Sequence, residues 1–164
     1  MAADADDRIE ISVKEMGACK VASIKGSGTY EEVGKVLMDL FRWVLERRAK
    51  VASYPMVLYP EGIEDIFSEG VEFEACIPIE PDMKISGGGG VKIKDFPAVS
   101  VVCAKQRGPV SEVESVHDEI LEWAEANGYR VAGPSRELFL TNPMEFSEDE
   151  LLTEIQIPVE AIRH

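Results

Sequence analysis

The chain has 164 residues, a length for one domain of roughly 150 residues or one fused from two halves. Seventeen Lys and Arg stand against 31 Asp and Glu, and the net charge of −14 sets up a field that repels phosphate backbones and anionic lipid, excluding sequence-independent nucleic-acid or membrane-surface binding. The stretch Met1 to Arg8 has neither the basic nor the apolar region of a secretion signal, and no run approaches the ~18 apolar residues of a membrane span, so a cytoplasmic protein is expected. Cys19, Cys76 and Cys103 are three widely spaced thiols without a CxxC, which predicts reduced cysteines and no zinc site.

Residues eighty positions apart match along most of the chain. Lys14 meets Lys94, Val21 meets Val101, Gly28 meets Gly108, Trp43 meets Trp123, Leu58 meets Leu138 and Glu74 meets Glu154. The register ends in Ile77-Pro78-Ile79-Glu80 against Ile157-Pro158-Val159-Glu160. Such self-similarity is the mark of a duplicated supersecondary unit.

In chain order, the acidic residues 1–8 form a flexible lead-in to a single domain over 9–160, built from repeats 9–80 and 91–160. Ile9, Ile11 and Val13 alternate as a first strand over Ile9–Lys14, echoed at Val91–Lys94. A second strand follows at Val21–Lys25, echoed at Val99–Lys105, and Gly28 and Gly108 end these strands. A helix begins near Tyr30 with Thr29 as its cap, carrying Val33, Val36, Leu37, Leu40, Phe41 and Val44 at helical spacing. Val113, Val116, Ile120, Leu121 and Ala124 repeat that stripe. Short strands at Met56–Pro60 and Glu137–Thr141 come next, each followed by a loop rich in Asp, Glu, Pro and Asn. Closing strands run over Val71–Ile79 and Thr153–Val159, where Pro78 and Pro158 predict edge positions or strand ends. The glycines of Pro81 to Gly90 lack the Gly-Lys-Ser/Thr of a phosphate cradle and read as a linker between repeats.

The predicted fold is α+β. Duplicated strand-helix-strand-strand units form one antiparallel sheet with two helices on one face, pseudo-twofold symmetry and a concave groove on the other side.

Positions alike in both copies report packing, whereas an asymmetric polar residue needs another reason. Val57 and Glu137 are such a pair. Taking Leu58 and Leu138 as the residues under the helices, alternation puts Glu137, Phe139, Val57 and Tyr59 on the opposite face. The same alternation adds Glu74, Cys76, Glu154 and Gln156 to that face. Aromatic walls with carboxylates suit an apolar or cationic small molecule, and a solvated sheet face is the alternative. Tyr54, Tyr59, Phe73 and Tyr129 are candidate lining residues because the other copy does not repeat them, while the symmetry of Trp43 and Trp123 points to packing. His117 lies on the helix stripe opposite Leu37 as a boundary residue, and no Ser-His-Asp, Cys-His or metal-ligand spacing is present. No cofactor is expected. The loop 61–70 has the glycine and apolar content of a lid and equally of a surface loop.

From Ile9 to Glu160 the chain resembles the GyrI-like small-molecule-binding domain, which is also the effector-binding domain of AraC-type and MerR-type drug-responsive regulators. The resemblance is carried by Gly128 to Pro143 (Gly-Tyr-Arg-Val-Ala-Gly-Pro-Ser-Arg-Glu-Leu-Phe-Leu-Thr-Asn-Pro), by Leu151 to Val159 and by the duplication. It implies a groove for hydrophobic, often cationic compounds with a carboxylate at its floor. The family glutamate, in Gly-Pro-x-x-Glu-x-x-Leu, falls on Glu137, and the aromatic walls map to Tyr59 and Phe139, then to Tyr54, Phe73 and Trp123. Three functions follow as expectations: a stand-alone receptor or sequestering protein for a hydrophobic or cationic ligand or toxin; a hydrolase of strained, cyclopropane-containing electrophiles in the same groove, with Glu137 as base; and an acidic protein inhibitor of a DNA topoisomerase such as gyrase.

Overall fold

In both helices the apolar residues fall on one stripe, and those stripes fix the layers. The helix α1 (Tyr30–Glu46) buries Val33, Leu37, Leu40 and Val44, and α2 (Val113–Ala126) buries Val113, Val116, Ile120 and Ala124. Each large aliphatic side chain withdrawn from water contributes about 1.5–3 kcal/mol before entropy is counted. Thr29 holds the N-cap position of α1 in extended backbone, but its hydroxyl makes no capping bond. Glu31 and Glu32 in the first turn complement the helix dipole instead.

The computed structural model describes residues 9–108, 112–141 and 150–162. Residues 1–8, expected as a flexible acidic lead-in, and the polar loop at 142–149 lie outside the described residues. The strands are β1 (Ser12–Met16), β2 (Cys19–Gly28), β3 (Met56–Tyr59), β4 (Val71–Ile79), β5 (Lys92–Phe96), β6 (Val99–Arg107), β7 (Tyr129–Val131), β8 (Ser135–Phe139) and β9 (Leu152–Ala161). They form one antiparallel sheet in the order β1-β6-β9-β8-β3-β4-β2-β5, with β7 beside β9 and both helices on one face. The α+β fold with duplicated units and pseudo-twofold symmetry is thus the one observed. The duplication shows in pairing as well as sequence: Val21 faces Pro78 in one half, and Val101 faces Pro158 in the other.

The first strand of each unit is exchanged. Strand β1 pairs with β6 of the second unit, and β5 pairs with β2 of the first. Between them Met83 and Ile85 of the linker pack on the core beneath α1. The prolines sit in interior strands but near their ends, past the register with β3 and β8. There the Pro78 and Pro158 carbonyls accept the Ala52 and Ala132 amides.

Several predicted boundaries shift. The first strand starts at Ser12 rather than Ile9, and β8 spans Ser135–Phe139 rather than Glu137–Thr141. Pairing explains the second shift, because Ser135 and Arg136 face Tyr59 and Leu58 of β3 across the centre of the sheet.

Candidate functional site

Strands β3 and β8 lie at the centre of the sheet, and every residue of β3 is buried. With apolar side chains on both faces, alternation alone does not say which face looks at the helices. The register decides it. Val57 and Glu137 are paired, and they are flanked by Ala75 and Ile155, residues of the cores beneath the helices. Leu58 and Leu138 instead join Val21, Met56 and Cys76 in a separate cluster on the opposite face. The parity expected for β3 and β8 is therefore reversed, whereas that of β4 and β9 is as expected.

This divides the expected set of side chains between two faces. Glu137 and Tyr59 lie on the helix face, where Phe73 and Phe139 also pack. Glu74, Cys76, Glu154 and Gln156 lie on the other. Glu154 is bound to Lys14 at 2.6 Å and to the Gln156 amide at 2.5 Å, so it does not share a site with Glu137. Glu74 pairs with Lys94 at 2.6 Å, the symmetric counterpart. Trp123 stacks on Tyr129 at 6.4 Å between ring centroids, late in α2. Tyr54 is half exposed in the turn before β3.

The helix face concentrates chemistry at Glu137, which is 1% exposed. The Tyr59 hydroxyl donates to Oε1 at 3.0 Å, and the Tyr30 hydroxyl donates to Oε2 at 2.9 Å. Among the described residues no cation forms an ion pair with this carboxylate. Burial pushes its pKa up to about 7, with the two tyrosine hydrogen bonds opposing the rise. Both tyrosines are driven well above the usual phenol range by burial and by the neighbouring carboxylate, so they remain donors. His117 bonds Ser135 Oγ at 2.6 Å, and burial lowers its pKa.

Tyr30, the second hydroxyl donor on Glu137, is a residue that the sequence reading passed over. The signal was available, since position 110 in the second repeat is Val, an asymmetry of the same kind as Val57 and Glu137. It lies at the start of α1 because β2 ends at Gly28, whose φ of 145° turns the chain into the helix. The loop 61–70 packs against it: Ile63 and Ile66 are buried, and the Ile66 carbonyl accepts the Tyr30 amide at 2.8 Å. The Phe67 ring, 46% exposed, stacks on Tyr30 at 5.4 Å. Gly70, with φ of 92°, packs so tightly on Gly28 that a Cβ would stand 2.5 Å from the Gly28 carbonyl carbon. The resulting wall consists of Phe67, Tyr30 and then the carboxylate, from solvent inward.

At the centre of the duplicated sheet Glu137 thus stands paired with Val57, buried and bonded to two tyrosine hydroxyls. The GyrI-like small molecule binding domain model matches residues 9–160, and the chain belongs to that family. No curated protein matches it significantly. The EcmrR C-terminal domain is similar in fold, with a TM-score of 0.84 at 21% identity over 94% of this chain and 99% of that one. The chain spans 62% of the length of EcmrR in its DNA complex. A hydrolase from Listeria innocua superposes with a TM-score of 0.70 at 14% identity, over 92% of each chain. SAV2435 bound to tetraphenylphosphonium gives 0.56 at 13% identity, covering 92% of this chain and 94% of that one. Among the described residues no helix is long and apolar enough to cross a membrane.

Proposed function

We propose that the protein takes up a hydrophobic cation on the helix face of the sheet, with Glu137 as its counter-ion and Tyr30, Tyr59 and Phe139 as its walls. One observation carries this reading: a fully buried carboxyl held by two hydroxyl donors and by no cation among the described residues. A buried acid without a positive partner is costly, and a ligand charge removes that cost. At about 4 Å and an effective dielectric of 20, the attraction is roughly 4 kcal/mol before desolvation. That is enough to set charge preference. The tetraphenylphosphonium carried by SAV2435 is a ligand of this chemical class.

Because Glu137 is sealed, the ligand enters by displacing Phe67 from Tyr30 and taking its place in the stack. The experiment is titration of tetraphenylphosphonium and a neutral aromatic of similar shape into wild type and Glu137→Gln. The cation loses roughly tenfold or more of its affinity in the variant while the neutral compound changes little. Equal losses for both would overturn the reading.

A second reading is hydrolysis of strained electrophiles in the same place, favoured by a carboxyl poised near neutrality beside two phenols. Glu137 would take a proton from water while a tyrosine donates to the leaving atom. Product formation from a cyclopropane-containing alkylator, lost in Glu137→Gln, distinguishes it from binding alone.

A further inference from the structure

Residue 136, next to the site glutamate on β8, carries the opposite charge and faces the opposite way. Arg136 is paired with Leu58 and Gln156 across the neighbouring strands, on the sheet face away from the helices. Its guanidinium lies over the Phe96 ring at 5.9 Å. Among the described residues it makes no ion pair, and its buried Nε has no hydrogen-bond partner. The acids Glu154 and Glu74 on this face are taken by Lys14 and Lys94. The Cys19 and Cys76 thiols near Arg136 are not its counter-ions either, because burial raises both and keeps them neutral. Burial also lowers the pKa of Arg136 itself, as expected of a cation short of compensation.

We propose that Arg136 anchors a second binding site, on the sheet face opposite Glu137, for a small organic carboxylate with an apolar group. The planar guanidinium matches a carboxylate and offers Nε as an unused donor. The apolar part lies against Phe96 and Leu140, which are only partly buried at the edge of the cluster of Leu58, Leu138 and Met56. Arg136 brings one uncompensated charge to the site, which suits a monoanion, and the net charge of −14 repels a polyanion at long range. The proposal is independent of the Glu137 reading, because that site lies on the other face and has the opposite charge.

The test uses the full chain, labelled with nitrogen-15, titrated with 1-naphthoate while the Arg136 Nε–Hε resonance is followed. Met56 holds the equivalent place in the first repeat, so Arg136→Met is the variant best suited to fold. A saturable shift is expected in wild type and in Glu137→Gln, with affinity roughly tenfold or more weaker in Arg136→Met. The neutral 1-naphthalenemethanol and inorganic sulfate should each bind much more weakly. No saturable shift in wild type would overturn the proposal whether or not the variant folds, and would leave a water bridging Arg136 Nε to the unpartnered Oε1 of Gln156 as the better account. Equal affinity in Arg136→Met, or a response to sulfate equal to that to naphthoate, would overturn it as well.

Discussion

Val57 and Glu137 are repeat equivalents and also cross-strand partners, so the pseudo-twofold axis of the sheet passes between them. A residue on such an axis meets its own counterpart. Two glutamates there would be like charges facing each other across a strand pair in a dry interior. One acid and one aliphatic partner is the arrangement that this geometry tolerates, and it leaves a single carboxylate at the centre.

Val57→Glu tests that argument directly. A second buried carboxyl on the axis should destabilise the fold by about 3–5 kcal/mol at pH 8, the cost of an uncompensated buried charge. At pH 5 protonation should recover part of the loss. Urea denaturation at the two pH values measures both.

Glu137 also makes stability depend on pH in wild type. Its folded pKa of about 7 is above the ordinary 4.5, so the folded state binds more protons between these values. The contribution of Glu137 to stability is therefore greatest below the lower value, falls as pH rises towards 7, and levels off above it. The full difference approaches about 3 kcal/mol at 1.36 kcal/mol per pH unit. Glu137→Gln should remove this slope, leaving the wild-type and variant curves to diverge between pH 5 and 7.5 in chemical denaturation.

Cation binding should run against the same proton. If the ligand pairs with ionised Glu137, its affinity rises with pH up to about 7, by as much as roughly tenfold per unit, and is flat beyond. Calorimetric titration of tetraphenylphosphonium at several pH values should show this rise in wild type and none in Glu137→Gln.

Gly70→Ala is expected to loosen the wall over the site. The added methyl meets the Gly28 backbone at a positive φ, so strain and overlap together should cost about 2 kcal/mol or more. Faster hydrogen exchange at the Tyr30 amide, which bonds the Ile66 carbonyl, would report the loosening locally.

The ion pairs Lys14 to Glu154 and Lys94 to Glu74 are equivalent under the repeat and should have equal effect. Each joins an exchanged strand to its host half, and each lysine is part-exposed. Lys14→Met and Lys94→Met should each cost about 1–2 kcal/mol, between the values for surface and buried pairs. Thermal unfolding of both variants checks the magnitude and the symmetry.

Much of this was legible in the sequence because the repeat is nearly gapless. It located both helices, both closing strands and, through the mismatch of Val57 and Glu137, the residue on the axis. The orientation of β3 and β8 was not legible. Met56, Val57, Leu58 and Tyr59 are all buried, so no polar residue marks a solvent side, and only the pairing of Val57 with Ala75 reveals which way it points. Tyr30 was missed for a related reason: it reads as the first residue of a helix, and its role depends on a strand far along the chain. The exchange of β1 and β5 was equally hidden, since hydrophobic period says how a strand alternates and nothing of which neighbour it chooses.

That exchange ties the halves together mechanically. With β1 held in the second unit and β5 in the first, neither half keeps its complete set of strands once the other melts. Unfolding should pass through one transition, and a protease cut in 81–90 should leave two fragments clasped as one particle on a sizing column until denaturant parts them.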